Sequence, residues 1–390
     1  MSPRPAQPPE TPLDLIADEA AEELAASVRA LLDKHCPTTR VLEHLADTEA
    51  AARAGRPTGP RDRALWQRLG QGIGALALLV PERLGGAGAG PREAAAVLTE
   101  LGRAVAPVPY LTAGVLAPEI LLGCLRDDPA AEPLLRRLAR AETLVVPALP
   151  LTLAPGAELP TGIRADPAGR LTGTVHPVAD ADAADILLVL ADTGLYAVAA
   201  EHARITALTS LDQTRPLHRV TLDAAPAHRL ADPTGARAAV AGALLTAAGL
   251  LASEQLGVAE RCLAEIVAHL RVRRQFNRPL GSFQALGHRA ALLWIEIGGA
   301  RAAALAAADA LAKDAADAPL LVAVAQAHCS RTAVHAAEEC LQLHGGLGMT
   351  WEHVTHLLLK RAKSQAATFG TPGRHLDLVA AFADLPAPPA

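Results

Sequence analysis

Aromatic side chains are scarce in this 390-residue chain, which has four Phe, three Trp and two Tyr. Yet 51% of the residues are apolar, so Ala and Leu must do most of the packing. That composition favours close helix–helix contact over a β-sandwich. Cysteine is sparse as well. Cys36, Cys124, Cys262, Cys329 and Cys340 are scattered, odd in number and without a CxxC pair. A disulfide framework and a cysteine-based zinc site are therefore not expected, and a reducing cytoplasm fits better. No polybasic run occurs and the formal net charge is -5, which argues against nucleic acid or an anionic membrane as main partner. The opening "MSPRPAQPPE" has no apolar core of a secretory signal. No stretch approaches the roughly 20 uninterrupted apolar residues of a membrane span. A soluble, cytoplasmic protein is expected. GxSxG, HExxH and P-loop motifs are missing, and the glycine loop "RLGGAGAGP" (83–91) lacks GxGxxG spacing, which disfavours a Rossmann site.

The length exceeds what one hydrophobic core usually serves. Residues 1–11 and the tail "LPAPPA" are Pro-rich and expected to be disordered. From 12 to 142 the pattern is helical, with an amphipathic helix over Leu13–Leu32, Asp14 near its start, and a second helix from about Arg61 that carries Trp66. Between 143 and 233 short, often β-branched runs broken by Gly, Pro and Asp predict an antiparallel β domain. From 234 to 390 the chain reads as a four-helix bundle, with helices over about 236–274, 284–313 and 319–343 and a fourth from about Glu352. The expected class is α+β: an all-α N-terminal domain, an antiparallel β middle domain, a C-terminal four-helix bundle.

Two stretches carry candidate chemistry. In "RVRRQFNRPLGSFQALGHR" (271–289), Arg271, Arg273 and Arg274 suit a helix C-terminus, Pro279 and Gly281 suit a turn, and Phe283 and Gln284 open the next helix. In "CLQLHGGLGMTWEHVTHLLLKRAK" (340–363), Gln342 and His344 precede Gly345, Gly346 and Gly348. Such glycines either end a helix or bare backbone N–H groups for a pyrophosphate. His344, His353 and His356 are not read as a metal site, because acids and cysteines at ligand spacing are missing beside them.

Taken together, these stretches resemble the acyl-CoA dehydrogenase family over nearly the whole chain. "LWQRLGQGIGALALLVPERLGGAGAGPREAAAVLTELGRA" is similar to the family's Trp helix, "vPe..GG.G" turn and following helix. "RRQFNRPLGSFQ" is similar to its R-x-Q-F-G…FQ segment, and "QLHGGLGMTWEH" to its Q-x-x-G-G-x-G segment. The resemblance implies FAD held between subunits of an oligomer. Arg273, Phe276 and Gln284 match positions on the adenine and pyrophosphate half of one FAD; Gln342, Gly345 and Gly346 match positions reaching it from the neighbouring subunit. It also implies α,β-dehydrogenation of an acyl thioester, carried by CoA or an acyl-carrier protein. A glutamate takes the α-proton while the flavin accepts hydride from the β-carbon.

The chain departs from the pattern at that glutamate. Its two usual positions fall on Phe369, in "ATFGTPGRH", and on Ala247. Glu254 is about two turns from Ala247, some 10 Å along the helix, and reads as a packing-face or surface acid. His176 and Pro177 stand where an aromatic beside the flavin is expected, Asn277 replaces the Gly after Gln-Phe, and "TLAPGAELPTG" lacks the usual Gly-Ser-Asp. These losses resemble the actinobacterial dehydrogenases of steroid side-chain breakdown, heteromers in which one subunit keeps the base and the other lacks it. Three readings stay open: a FAD-dependent acyl-CoA dehydrogenase, alone or as one subunit of a pair; a base-less, FAD-holding partner with no activity of its own; and a flavoenzyme of different chemistry in a natural-product pathway.

Overall fold

The computed structural model describes residues 19–53, 63–125, 129–160 and 162–383. The expected disorder of residues 1–11 and of the C-terminal tail lies outside the described residues, as do Asp14 and Arg61. α1 (Glu19–His35) buries Val28 and Leu32, and Arg29 reaches from it in a fork to Glu100 at 2.9 and 2.7 Å. α2 (Thr38–Arg53) follows. The Trp66 helix, α3 (Arg63–Gln67), is a single turn, shorter than its pattern suggests, because "RLGQG" winds into a wider turn and Gly74 then takes a left-handed φ of 76°. Beyond the glycine loop, the Gly90 N–H donates to the Glu93 carboxylate at 2.8 Å and Pro91 opens α4 (Pro91–Ala104). α5 (Ala117–Cys124) and α6 (Glu132–Ala139) complete the helical part.

Among the described residues the β unit has eight strands: β1 (Val145–Pro147), β2 (Ile163–Ala165), β3 (Leu171–Ala179), β4 (Ile186–Ala191), β5 (Gly194–Ala199), β6 (Ala203–Ala207), β7 (Leu217–Ala225) and β8 (His228–Ala231). They form two four-stranded sheets, ordered β1-β4-β5-β8 and β2-β3-β7-β6. Pairing is antiparallel except for β1 beside β4, Val146 opposite Leu187, which is parallel. The expectation of an antiparallel unit missed that one pair: the chain leaves β1, lays β2 and β3 in the other sheet, and returns to β4 in the same direction.

Asp232 caps the next helix, accepting from the N–H of Thr234 and Gly235 at 2.7 and 2.9 Å. α7 (Pro233–Val272) runs 40 residues, about 60 Å at 1.5 Å per residue. It packs on α4, α5, α8 (Gln284–Ala312) and α9 (Ala318–His344). α10 (Thr355–Gln365) starts three residues after the expected Glu352, and α11 (Pro372–Phe382), capped by Thr371, is a further helix beyond the expected four. α4 and α7 touch backbone to backbone. A Cβ on Gly102 would lie 2.1 Å from the carbonyl oxygen of Glu254, and one on Gly257 would lie 1.9 Å from that of Thr99. α7 and α8 are each long and apolar enough to cross a membrane by length and composition alone, although neither is an uninterrupted apolar run of that length. In α7 that apolarity serves the core, since 67% of its most apolar window is buried inside the protein. α8 instead leaves Leu292, Trp294 and Ile295 exposed.

Candidate functional site

The basic stretch closes α7 and turns back on itself. The Arg273 N–H still donates to the His269 carbonyl at 2.8 Å. β9 (Arg274–Gln275) then pairs with β10 (Arg278–Pro279), so the loop is Phe276–Asn277. The turn therefore precedes the Pro279–Gly281 segment in which it was expected, and that segment continues as a short 3-10 turn (Leu280–Ser282). Phe276 and Asn277 have φ of 50° and 61°, as a two-residue hairpin of primed type requires. Asn tolerates that conformation, which explains physically how Asn277 stands in for Gly. Phe gains nothing from it; left-handed backbone at such a residue costs of order 1–3 kcal/mol. Its ring is 86% exposed, edge-on to Phe283 with centroids 6.2 Å apart, and the Arg278 guanidinium lies 3.8 Å over Phe283. Gln284 begins α8 and is exposed. Arg271, Arg273 and Arg274 are exposed, with no ion pair among the described residues.

The glycine-rich stretch leaves the same end of the bundle. α9 stops at His344, whose ring lies 4.4 Å from that of His269 on α7. Gly345 has φ 60° and ψ −137°, backbone open to glycine, and Gly345–Met349 forms a 3-10 turn. Gln342, Gly345 and Gly346 are exposed. The structure thus sets Arg273, Phe276 and Gln284 on one surface feature and Gln342, Gly345 and Gly346 on another, both at one end of α7 and α9. Unpaired guanidinium groups, a bare aromatic face and a turn rich in backbone N–H groups suit the diphosphate and purine of a dinucleotide such as FAD. All six positions are open, so a ligand there needs a second surface to cover it.

The two positions matching the family's base are closed. Phe369 is 1% exposed and Ala247 0%, so both are packed inside the protein. Phe369 takes φ 54°; its N–H donates to the Leu151 carbonyl at 2.9 Å, and its own carbonyl accepts from His375 Nε2 at 3.0 Å. The Leu151 N–H in turn donates to the Pro177 carbonyl at 2.8 Å. The segment before β2, the His176–Pro177 stretch of β3 and the Phe369 loop are therefore tied together by backbone bonds.

Of the two readings of Glu254, packing-face or surface acid, the fold supports the first: it is 1% exposed. Arg215 donates to both its oxygens at 2.8 Å, and Arg361 Nη1 to Oε1 at 2.5 Å. Arg361 also pairs with Asp212 at 2.7 Å and donates to Thr214 Oγ1 at 2.6 Å and to the Ala106 carbonyl at 3.3 Å. Burial alone would lower the Arg215 pKa, but Glu254, Asp180 and Asp212 outweigh it and hold it raised. The cluster joins the segment after α4, the β6–β7 loop, α7 and α10. No substrate carbon can reach Glu254 there. These residues were missed because their partners are far apart in sequence. The signal available was a charge inside each of two apolar faces, Glu254 in "LLASEQLG" and Arg361 among Leu357, Leu358 and Ala362.

Known proteins place these features in context. The family model for the acyl-CoA dehydrogenase N-terminal domain matches residues 18–123, and that for the C-terminal domain matches residues 234–383. The acyl-CoA dehydrogenase IpdE2 of Mycobacterium tuberculosis is 34% identical over 358 residues, 91% of this chain and 94% of the relative. Among solved structures, the ChsE4-ChsE5 complex from Mycobacterium tuberculosis superposes with a TM-score of 0.79 at 28% identity, over 96% of this chain and 100% of the other. A variant of the Tcur3481-Tcur3483 steroid ACAD superposes at 0.78 and 28%, over 94% and 98%.

Proposed function

Because this chain belongs to the acyl-CoA dehydrogenase family, we propose that it is the base-less, FAD-holding subunit of a hetero-oligomer that dehydrogenates an acyl thioester. As a member it is an acyl-CoA dehydrogenase-like oxidoreductase; the assignment of subunit role is the finer step. The observation that carries it is the contrast between open cofactor positions and closed base positions. Arg273, Phe276, Gln284, Gln342, Gly345 and Gly346 are exposed, while Phe369 and Ala247 are apolar and packed.

When bound, FAD supplies acceptance of hydride from the β-carbon of a thioester whose α-proton is being removed. In this reading Arg273 neutralises the diphosphate, Phe276 walls the adenine, and the Gly345–Gly346 turn offers its N–H groups to the FAD of a neighbouring subunit. No side chain at the two base positions can take a proton, so the α-proton goes to a glutamate of the partner subunit. The likeness to a two-protein complex and to a steroid ACAD supports a second, acyl-CoA dehydrogenase-like subunit and a steroid-type acyl group, and the family supports CoA as its carrier. The five cysteines are buried and form no disulfide, which suits a reducing cytoplasm.

The test is anaerobic flavin bleaching of the co-purified hetero-oligomer by acyl-CoAs. Changing the partner's glutamate to Gln should abolish bleaching and leave flavin content unchanged; Phe369→Leu in this chain should leave bleaching intact. Bleaching of this chain without a partner would overturn the reading.

A further inference from the structure

We propose that Glu265, His344 and His353 form a divalent metal site of the zinc type that clasps the glycine-rich turn to α7. Glu265 lies on α7, His344 ends α9, and His353 follows the turn. One donor atom from each lies within 4.8 Å of the other two. A zinc ion sits about 2.0–2.2 Å from such donors, which asks them to stand roughly 3.4 Å apart. Side-chain movements of about 1 Å close that gap.

The surroundings orient the donors. Nδ1 of His344 faces the Cys340 carbonyl oxygen at 2.7 Å. A carbonyl can only accept, so Nδ1 carries the proton and Nε2 the lone pair. That outer contact is the usual means of fixing a metal-binding imidazole. Arg261 Nε donates to Oε1 of Glu265 at 2.7 Å, which steadies the carboxylate and leaves Oε2 open. The polar contacts of the His353 ring are long ones between its Nδ1 and Thr355, 3.3 and 3.4 Å, which a small turn of the ring toward an ion would give up at little cost. Its centroid is 4.6 Å from that of His344. His269 stacks on His344 but is not in the donor group.

Two imidazoles and one carboxylate form the donor set of an open zinc site, with a position left for water. Magnesium and calcium prefer oxygen ligands and are disfavoured. The histidines alone carried no such signal in sequence, because the acid comes from an earlier helix. The placement has a consequence. His344 and His353 bracket the Gly345–Met349 turn, whose neighbourhood leaves Leu347, Met349 and Trp351 at 48%, 72% and 71% exposed. Gly348 is buried and its carbonyl accepts from Thr355 Oγ1 at 2.7 Å; an ion bonded at both flanks and to α7 would add a tie to the long helix.

The experiment titrates Co2+ into the metal-stripped full-length chain, followed by visible absorption and by hydrogen exchange of the 345–352 backbone. The expected result is one Co2+ per chain with the absorption of a four- or five-coordinate site, displaced by Zn2+, and slower exchange across the turn. Glu265→Gln and His353→Asn, both at partly exposed positions, should each weaken binding tenfold or more while the metal-free chain melts like wild type. Wild-type Co2+ binding that both variants retain, or no binding at one equivalent, would overturn the site. Metal binding and exchange are read on the chain without FAD, and the subunit reading is read from flavin content and bleaching, so the two fail separately.

Discussion

Replacing Arg361 by Met tests whether the buried charge cluster holds the three parts of the chain together. Arg361 is 1% exposed and reaches Glu254, Asp212, Thr214 and the Ala106 carbonyl. Met keeps most of the volume and removes the cation. Two carboxylates, Glu254 and Asp212, would then share one guanidinium, that of Arg215. Deleting one partner of a buried pair costs about 3–5 kcal/mol, because the abandoned charge stays desolvated. For 390 residues at about 2.1 cal/mol/K per residue, the unfolding entropy is about 0.8 kcal/mol/K, so Tm should fall by about 4–6 °C if the chain melts as one unit. A larger drop is expected if the parts melt separately. Adding Asp212→Asn restores the charge balance and should recover part of the loss, since residues in one network couple by about 0.5–3 kcal/mol. The assay is calorimetry with a parallel urea titration. A single variant melting within about 1 °C of wild type would refute the argument that this cluster carries structural weight.

Other outcomes follow from the same geometry. Arg273→Ala should weaken FAD retention by roughly 10- to 150-fold, the worth of one charge-assisted bond of about 1.5–3 kcal/mol, read as flavin content after gel filtration; unchanged content would remove Arg273 from the cofactor site. Phe276→Gly should relieve the left-handed strain and raise Tm slightly while lowering FAD retention. A lower Tm would show that the exposed ring stabilises the free chain. Phe369→Glu should destabilise by several kcal/mol rather than restore catalysis, because it buries a carboxyl where Leu151 and His375 hold the backbone tightly; a stable variant that gains activity would contradict the packed site.

The α–β–α order was legible because Ala and Leu recur at helical spacing in α7, α8 and α9, and because β-branched runs between turn residues mark the middle unit. What stayed hidden depended on contacts distant in sequence or on backbone geometry. Glu254 looks like one acid in an apolar helix until Arg215 and Arg361 meet it in the fold. The hairpin was placed on Pro279 and Gly281 by their turn chemistry, whereas the chain turns at Phe276–Asn277 in a left-handed conformation that composition does not favour for Phe. The parallel pairing of β1 with β4 follows from sheet order, which local periodicity does not encode. Phe369 and Ala247 were found by matching motifs, and the fold adds that both are sealed.

The most direct measurement is the FAD content of the chain expressed alone, compared with the same chain co-expressed with a homologue that carries the glutamate. The account predicts a colourless or substoichiometric preparation alone and a yellow complex with the partner, because the cofactor positions are open surfaces that need covering. Full FAD occupancy in the chain alone, together with bleaching by an acyl-CoA, would contradict it.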